Sequence, residues 1–343
     1  MGDQNTNPSK LSSSIFGKLG LKNSVELTPF FPDDLAAWWP ARDSRCHKYQ
    51  NGHVLVIGGS SRFTGAPIMA AQAAASCGAG LVTVVTWQAN YHDLVCRTPP
   101  YIMAGTIEEL FTLPNDAKKA LPAFPNTHYD FTNLAKFDSV VIGPGLGVSR
   151  TTQNFLQQLV KAYQSFGPSK TRPYFSGPWI VDADAFIQWP WPSCKHPIIY
   201  TPHLGEFARL WEISRAVLAK NIAAYWKMFA DKDVFLSHVL VLKDSAVRIG
   251  SLKQPQYIWD VPNPALAKAG SGDILTGIMA ALTAVMPQNN LPQVAALAVG
   301  IHGLMGKIAA ERFGHFSPHA GDLLTCLPEA VKQIEQAAAC LNK

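Results

Sequence analysis

The sequence lacks several features that mark whole classes of protein. No apolar run approaches the roughly 18 residues that a membrane-spanning helix needs. The first 25 residues also lack the continuous apolar core of a secretory signal. Runs of Lys and Arg never exceed two residues, and the formal net charge of the 343-residue chain is only +5. We therefore expect a soluble, cytoplasmic protein that binds neither a membrane nor nucleic acid, and a small anionic substrate suits the mild charge.

Cysteines are also few and scattered. The six cysteines contain no Cys-x-x-Cys pair, which argues against a disulfide framework and against a zinc site. We expect them to be reduced, as is usual in the cytosol. Charged residues make up only 15% of the chain, whereas 48% is hydrophobic. That composition favours a compact globular protein with much buried helix.

The sequence does contain an alternation of short apolar strands and helices. The predicted strands lie in the segments "HVLVIGG", "LVTVVT", "SVVIGPGLG", "WIVDADAF", "PIIYTPHLGE" and "HVLVLKD". Helical stretches separate most of them, and the alternation predicts a mostly parallel sheet covered by helices on both faces. Residues 1–26 show no such pattern and are predicted to form an accessory arm, whereas residues 112–130 and 164–178 are predicted to be surface connections.

Polar and Gly-rich residues follow the predicted strands at their carboxyl ends. They include Gly143–Gly147, Asp182 to Asp184, Thr201–Glu206 and Lys243. In an open α/β sheet, ligands bind at that edge. An ordinary strand-to-helix turn explains any one of these segments equally well, but the whole set favours a binding site.

The segment Ala269–Asp273, "AGSGD", precedes an apolar, Ala-rich helix. Glycines before a helix let backbone N–H groups converge on an anion, and the helix dipole adds positive potential there. A carboxylate beside such an anion hole can take a proton from a hydroxyl while the loop holds a transferring phosphoryl group. A simple helix cap made by Ser or Asp is the alternative. The pattern is neither a P-loop nor a dinucleotide-binding G-x-G-x-x-G.

Each remaining candidate has two interpretations. His203 is a substrate contact or a satisfied loop histidine, and Lys243 is a ligand of a nucleotide phosphate or a solvated side chain. Glu206 is a candidate to hold a water on Mg²⁺. Of Asp182 and Asp184, one is a candidate for the site while the other caps the next helix.

Taken in order, the motifs resemble the ribokinase-like superfamily. Within it they resemble the ADP/ATP-dependent NAD(P)H-hydrate dehydratases, the carbohydrate-kinase-like domain associated with YjeF proteins. The resemblance covers about residues 45–335 and rests on "VLVIGGSSRFTGAPIMAAQAAASCGAGLVTV", "VIGPGLG", "VDADAF", "TPHLGEFARL", "VLK", "AGSGDILTG" and "HGLMG". It implies an α/β three-layer sandwich over residues 46–340, with a central, mostly parallel sheet, after an N-terminal arm and lead-in of residues 1–45.

The resemblance also implies a reaction. ADP or ATP, with Mg²⁺, phosphorylates the ring hydroxyl of the damaged cofactors NADHX and NADPHX, and loss of phosphate restores NADH or NADPH. A homo-oligomer, for instance a tetramer, is implied as well. The 45 residues before the core are too few for the epimerase domain fused in longer relatives, so we expect any epimerase to be a separate protein.

Site residues follow from the resemblance by position. Asp273 corresponds to the general base, and the anion hole to Gly270, Ser271 and Gly272. The damaged dinucleotide would contact Ala66, Gly145, His203 and Asp273. The adenine nucleotide would contact Gly272 and the segment of Lys243, Asp244, Ser245, Ala246 and Val247. Glu206 would reach the metal through a water.

The chain departs from the family pattern at three places. Asp244 stands where the family usually has Gly, Val247 where it has Thr, and "PNPA" at residues 262–265 where it has Gly-Asn-Pro-Gly. An added acid beside a nucleotide phosphate repels it unless the side chain turns away.

The sequence leaves two other functions open. One is a small-molecule kinase of the same superfamily, acting on a vitamin precursor or a sugar. However, kinases of thiamin precursors often have Cys in place of Asp273, and sugar kinases usually read Gly-Ala-Gly-Asp. The other is a catalytically silent nucleotide-binding sensor, suggested by Asp244 and Ala265 but opposed by the presence of Asp273, Gly272 and His203.

Overall fold

The computed structural model describes residues 27–112, 129–165, 175, 177–188, 197–230, 238–251, 254–286 and 290–341. Its strands are β1 (Thr28–Pro29), β2 (His53–Ile57), β3 (Leu81–Thr86), β4 (Met103–Thr106), β5 (Ser139–Ile142), β6 (Trp179–Val181), β7 (Ile198–Tyr200), β8 (Val239–Leu242), β9 (Val247–Gly250) and β10 (Tyr257–Trp259). They form one sheet in the order β1-β10-β9-β8-β7-β6-β5-β2-β3-β4. Only the β8–β9 and β9–β10 pairings are antiparallel among these strands, which confirms the predicted mostly parallel sheet.

The α-helices of the described residues cover both faces of the sheet. They are α1 (Pro32–Trp38), α2 (Gly65–Ser76), α3 (Tyr91–Val95), α4 (Ile107–Phe111), α5 (Arg150–Ser165), α6 (Leu204–Leu210), α7 (Arg215–Lys220), α8 (Ile222–Ala230), α9 (Ser271–Val285), α10 (Leu291–Phe313) and α11 (Ala320–Leu341). Each of the six predicted segments therefore contains a strand. The structure adds four strands that were not predicted: β1, β4, β9 and β10.

The layers follow from the alternation of side chains along the strands. In β2, Val54 and Val56 join the core beneath α2, α9, α10 and α11. Leu55 and Ile57, on the opposite face of the same strand, join the core that contains the apolar side chains of α5. Because successive side chains of a strand point to opposite faces, a continuously apolar strand must be covered on both sides. The result is the expected α/β three-layer sandwich.

Part of the predicted lead-in belongs to this fold. Strand β1 pairs in parallel with β10 at one edge of the sheet. Phe30, only 2% exposed, and Leu35, fully buried, are part of the same core as α10. The apolar side chains of "LTPFFPDDLAAW" explain why this segment packs into the core. A boundary at residue 45 therefore falls inside the folded body.

Other expectations fall on residues outside the described ranges. Residues 1–26 are not described, and most of the predicted connections at 112–130 and 164–178 are not described either. The arm and those connections therefore stay predictions.

Helix α10 is long and apolar enough, by length and composition alone, to cross a membrane. However, 78% of its apolar window is buried inside the fold. It packs between α9 and α11, beside the sheet. This core position accounts for its composition, since a helix that is apolar all round is buried in a large domain as readily as in a bilayer.

Helix α9 is held tightly against α2 and the sheet. A Cβ atom placed on Gly277 would lie 2.0 Å from the backbone O of Ala70 in α2. On the sheet side, the hydroxyls of Ser139 in β5 and Thr283 in α9 form a buried hydrogen bond of 2.9 Å. Glycine at residue 277 therefore lets the two helix backbones approach, and the approach fixes where the first turn of α9 begins.

We predict that Gly277→Ala lowers the free energy of unfolding by about 1–3 kcal/mol, because the added methyl group overpacks the contact between α2 and α9. This loss should occur although Ala favours an isolated helix over Gly by about 1 kcal/mol. Urea denaturation gives the measurement. Gly65→Ala is the matched control, since a Cβ at that position meets nothing within 4 Å, and it should be neutral or slightly stabilising. Wild-type stability of Gly277→Ala would show that the helices can separate freely.

Candidate active site

The loops that follow β2 and β5 meet at the carboxyl edge of the sheet. The N–H of Gly59 donates to the carbonyl of Pro144 at 3.0 Å. A Cβ on Gly145 would lie 2.4 Å from the backbone O of Phe63 and 3.2 Å from Cβ of Ala66. The fold thus brings together Ala66 and Gly145, which are predicted to contact the same ligand although they lie far apart in the sequence.

The two carboxylates in the segment after β6, those of Asp182 and Asp184, make different contacts. The Oδ2 atom of Asp184 accepts a 2.8 Å hydrogen bond from the N–H of Gly147, which holds the glycine loop after β5. Asp182 is 2% exposed and turns toward Lys243 instead. Ala183 between them has a φ of 47°, a left-handed conformation that is strained for a residue with a Cβ atom. Each carboxylate thus contacts a different strand-end loop, and the predicted cap of the next helix stays a prediction.

Lys243 forms a buried ion pair at the end of β8. Its Nζ atom lies 2.8 Å from Oδ1 of Asp182, and the two side chains are 19% and 3% exposed. Burial by itself would lower the pKa of Lys243, but the carboxylates of Asp182, Glu206 and Asp273 outweigh it and raise that pKa. Lys243 is therefore a charged, fixed ammonium group and not the solvated lysine of the alternative interpretation.

Asp273 lies in the first turn of α9, close to this ion pair. The pKa of Asp273 is raised from its ordinary value of 3.8 to about 7, and burial is the largest cause. The nearby Asp182 carboxylate contributes to the rise, and the Lys243 ammonium only partly opposes it. Asp184 and Glu206 add smaller contributions of the same sign. A carboxylate that binds a proton near neutral pH is well matched to general-base work.

His203 and Glu206 form a capping box at the start of α6. The Nδ1 atom of His203 accepts hydrogen bonds from the N–H groups of Gly205 at 2.9 Å and Glu206 at 3.1 Å. In return, Oε2 of Glu206 accepts from the N–H of His203 at 2.8 Å. Burial, helped by the charge of Lys243, lowers the pKa of His203, so the ring is neutral at pH 7. Its Nε2–H group lies 3.4 Å from Oε1 of Glu206.

The ring of His203 is thus satisfied, as one of its two interpretations has it, but as a helix cap, and it also lines a cavity. The substrate contact stays a prediction. Burial, followed by the charge of Asp182, raises the pKa of Glu206, which makes this carboxylate part of the same crowded group of acids.

Gly270 turns the chain into α9 through a left-handed conformation. Its φ is 89°, and a Cβ atom there would lie 2.7 Å from Sδ of Met69 and 2.8 Å from Cβ of Ala320. Both backbone conformation and packing therefore require glycine at this position. Gly270 shapes the turn of the predicted anion hole, since its carbonyl accepts the first hydrogen bond of the helix, from the N–H of Ile274.

At the start of α9, some backbone N–H groups already donate a hydrogen bond within the protein, and others are available to a ligand. The N–H of Ser271 donates to the carbonyl of Lys268 at 3.3 Å. The N–H groups of Gly272 and Asp273 belong to the first turn, where a helix has no carbonyl to offer them. A Cβ atom on Gly272 would lie 3.2 Å from Nζ of Lys243. The ammonium group and the available N–H groups therefore face one small region that suits an anion.

His302 joins this site although it was not among the predicted site residues. It lies in α10, and its Nε2 atom is 2.9 Å from Oγ and 3.0 Å from the carbonyl O of Ser271. The segment "HGLMG" was part of the resemblance, but nothing in its spacing ties a histidine inside a buried helix to the first residue of α9.

A cavity of about 750 Å³ opens beside the start of α9. Its lining includes His203, Lys243, Lys268, Ser271, Gly272, His302 and the apolar side chains of Trp259, Val261, Leu266 and Val299. Of the predicted nucleotide segment, Lys243, Asp244, Ser245 and Val247 line it. Ala246 is absent from the lining, and its carbonyl accepts a hydrogen bond from Arg248. A polar end against an apolar wall fits a nucleotide, whose phosphates are anionic and whose base is flat and apolar.

A second cavity, of about 650 Å³, lies beside the glycine loop after β5. Its lining includes Ser60, Arg62, Phe63, Trp87, Gly147, Ser149 and Asp184. Asp184 belongs to this lining and lies close enough to Asp273 to raise its pKa. The predicted base thus lies next to Gly272 of the first cavity and close to Asp184 of the second.

The described residues contain no cluster of three or more His, Cys, Asp or Glu side chains that could hold a metal ion. Glu206, the predicted water-mediated contact of Mg²⁺, already uses its oxygens in the capping box with His203. Mg²⁺ commonly keeps several waters and binds through phosphates and one or two carboxylates. The donor set therefore fits an ion carried by phosphates and does not fit an ion caged by the protein.

Comparisons with known proteins identify the family of this chain. The family profile described as NAD(P)H-hydrate dehydratase, of the carbohydrate-kinase type, matches residues 54–329. A bifunctional NAD(P)H-hydrate repair enzyme of Moorella thermoacetica is 32% identical over 94% of this chain and 59% of its own length. An ADP-dependent (S)-NAD(P)H-hydrate dehydratase of Staphylococcus aureus is 29% identical over 86% of this chain and 94% of its own.

A solved structure shows the same fold. The ADP/ATP-dependent NAD(P)H-hydrate dehydratase of Bacillus subtilis, co-crystallised with ATP/Mg²⁺, is 26% identical with a TM-score of 0.70. The match covers 91% of this chain and 100% of that chain. The chain spans 51–59% of the length of the first bifunctional relatives that it matches. Because the profile covers most of the sequence and the fold agrees, the chain belongs to the NAD(P)H-hydrate dehydratase family.

Proposed function

We propose that this protein repairs hydrated nicotinamide cofactors by dehydrating (6S)-NADHX and NADPHX to NADH and NADPH, with ADP or ATP as the phosphoryl donor. One observation carries the proposal. Asp273, whose pKa is raised to about 7 mainly by burial, lies in the first turn of α9, next to Gly272 of a nucleotide-sized cavity and close to Asp184, which holds the glycine loop after β5. Dehydratase relatives named as ADP-dependent, or solved with ATP/Mg²⁺, support the choice of substrates.

In the proposed reaction Asp273 takes the proton of the ring hydroxyl. The hydroxyl oxygen attacks the terminal phosphorus of the nucleotide, a new O–P bond forms, and the bond to the bridging oxygen breaks to release AMP from ADP or ADP from ATP. The N–H groups of Gly272 and Asp273, with the ammonium of Lys243, stabilise negative charge on the transferring group. A bound Mg²⁺ would neutralise part of the phosphate charge.

Loss of phosphate completes the reaction. Phosphate is a far better leaving group than hydroxide, and the lone pair of the ring nitrogen assists cleavage of the carbon–oxygen bond. A proton then leaves the neighbouring ring carbon, and the double bond of the dihydronicotinamide returns. Ala66 and Gly145 would hold the ring, while the cavity of about 650 Å³ beside Gly147 has room for more of the dinucleotide. His203 would contact the substrate from the opposite side.

We extend the proposal to the setting of the enzyme. The chain would act in the cytoplasm as a homo-oligomer, for instance a tetramer, with a separate epimerase supplying the reactive epimer. Relatives that carry a second activity in one chain support the link to another repair step. Light scattering of the purified protein tests the oligomer, and a monomer at all concentrations would contradict it.

We predict that Asp273→Asn lowers kcat by roughly 10²–10⁴-fold, the usual contribution of a general base. Asn keeps the shape and hydrogen bonding of the side chain, so nucleotide binding should persist. Recovery of NADH from NADHX, followed by absorbance with ADP and ATP in parallel, gives the measurement. Wild-type protein that recovers no NADH with either nucleotide contradicts the proposed function. Near-normal turnover of the variant contradicts Asp273 as the base.

We predict that Asp273→Asn stabilises the fold at pH 8 by about 1–3 kcal/mol and has little effect near pH 4. The pKa of Asp273 is raised from 3.8 to about 7, so between these values the folded chain binds more protons than the unfolded chain. Its stability therefore falls as the pH rises through that window, and Asn escapes the loss. Urea denaturation at both pH values is the test, with exposed Asp260→Asn as the control. An equal effect of Asp273→Asn at both values would contradict the shift.

We predict that Asp244→Asn tightens the binding of ADP and ATP by several-fold, because this exposed acid lines the nucleotide cavity and opposes the phosphates. Isothermal titration at low and high salt measures the change, which should shrink as salt screens the charge. Asp260→Asn again serves as the control. An unchanged dissociation constant at low salt would show that the Asp244 carboxylate turns away from the phosphates.

A further inference from the structure

His302 and Ser271 make an uncommon contact where α10 meets the start of α9. A single ring nitrogen, Nε2 of His302, lies 2.9 Å from the hydroxyl oxygen and 3.0 Å from the carbonyl oxygen of Ser271. Both residues line the cavity of about 750 Å³. The contact therefore belongs to the wall that would face a nucleotide, and the proposed chemistry so far gives neither side chain a task.

The carbonyl oxygen decides which tautomer His302 adopts. A carbonyl oxygen only accepts hydrogen bonds, so an Nε2 atom at 3.0 Å must carry a hydrogen. The same N–H then reaches the hydroxyl oxygen in a three-centre hydrogen bond. Burial, with the charge of Lys243 acting in the same direction, lowers the pKa of His302 to about 4. The ring is therefore neutral at pH 7, with its hydrogen on Nε2.

This tautomer leaves the hydroxyl hydrogen of Ser271 unused. The hydroxyl oxygen accepts from His302, and its own O–H cannot donate back to a nitrogen that already carries a hydrogen. Among the described residues, this hydroxyl makes no hydrogen bond other than the one with His302. The hydrogen is free to point into the cavity, beside the available N–H groups of Gly272 and Asp273.

We propose that the Ser271 hydroxyl is a third hydrogen-bond donor to the terminal phosphoryl group of the bound nucleotide, and that His302 is the positioning residue that aims it. The proposal rests on the proposed function, because the base Asp273 lies two residues further along the same helical turn. The phosphoryl group that is attacked by the hydroxyl deprotonated by Asp273 must then lie beside Ser271 as well.

The expected effects follow from the loss of one hydrogen bond to a charged group. Ser271→Ala removes the donor and should lower kcat by about 10–100-fold. The affinities for ADP and ATP should fall, whereas that for AMP, which lacks the transferred group, should not change. His302→Leu should do the same, since the hydroxyl loses its orientation. His302→Gln places an amide N–H near the position of Nε2 and should recover most of the loss.

The double variant separates a shared role from two independent ones. If His302 acts only through the Ser271 hydroxyl, Ser271→Ala with His302→Leu should be no worse than the more impaired single variant. Exposed His92→Leu is the matched control and should behave as the wild type. Thermal denaturation shows which variants are folded. Should His302→Leu not fold, Ser271→Ala and His302→Gln carry the test.

The experiment measures dissociation constants of AMP, ADP and ATP by isothermal titration, beside kcat and KM with NADHX. A selective loss of ADP and ATP affinity, rescued by Gln, supports the proposal. Equal losses for AMP and ATP, no loss in Ser271→Ala, or additive effects in the double variant overturn it. Wild-type protein that binds nucleotides but leaves NADHX unchanged would defeat the proposed function alone, since the nucleotide titrations still decide the role of Ser271.

Discussion

One buried ammonium group shared among several carboxylates is the constraint on which this site depends. Lys243 forms its short ion pair with Asp182, and the carboxylates of Glu206 and Asp273 lie close enough to raise its pKa. A single positive charge cannot satisfy three buried negative charges. Asp182 holds the ammonium, and burial together with the negative charge of Asp182 raises the pKa of Asp273 to about 7. The same packing thus sets the position of the proposed base and its readiness to bind a proton.

The fold supplies the rigid parts that keep these charges together. Asp182 and Lys243 follow the parallel strands β6 and β8, whose carboxyl ends open on the same edge of the sheet. Asp273 reaches that edge from α9, a helix fixed by the close approach of Gly277 to α2 and by the Ser139–Thr283 hydrogen bond. Without this packing the carboxylates could separate, and solvent would relieve their repulsion. Tight helix packing far from the ligands therefore contributes to the chemistry.

The sequence predicts the strands, helices and site residues of this arrangement better than it predicts which side chains pair with each other. Short apolar strands, and the glycines and acids that end them, point to the sheet, its binding edge and Asp273. The Asp182–Lys243 pair joins residues 61 positions apart, and no local spacing encodes which acid takes the lysine. His203 shows the converse, because His-x-x-Glu is a local capping pattern, yet the helix cap was not among the two predictions for this residue. His302 lies inside a helix that is apolar on all sides, where a polar side chain has no periodic signal.

The central claim is that burial, together with the crowding of negative charge, keeps Asp273 protonated up to neutral pH. NMR titration of protein labelled with ¹³C at the aspartate carboxyl carbons tests it most directly, with Asp273→Asn used to assign the resonance. The account predicts a titration midpoint for Asp273 at a pH of about 7. It also predicts that the midpoint falls when Asp182→Asn removes one of the neighbouring charges. A midpoint close to the ordinary value of 3.8 would contradict the account.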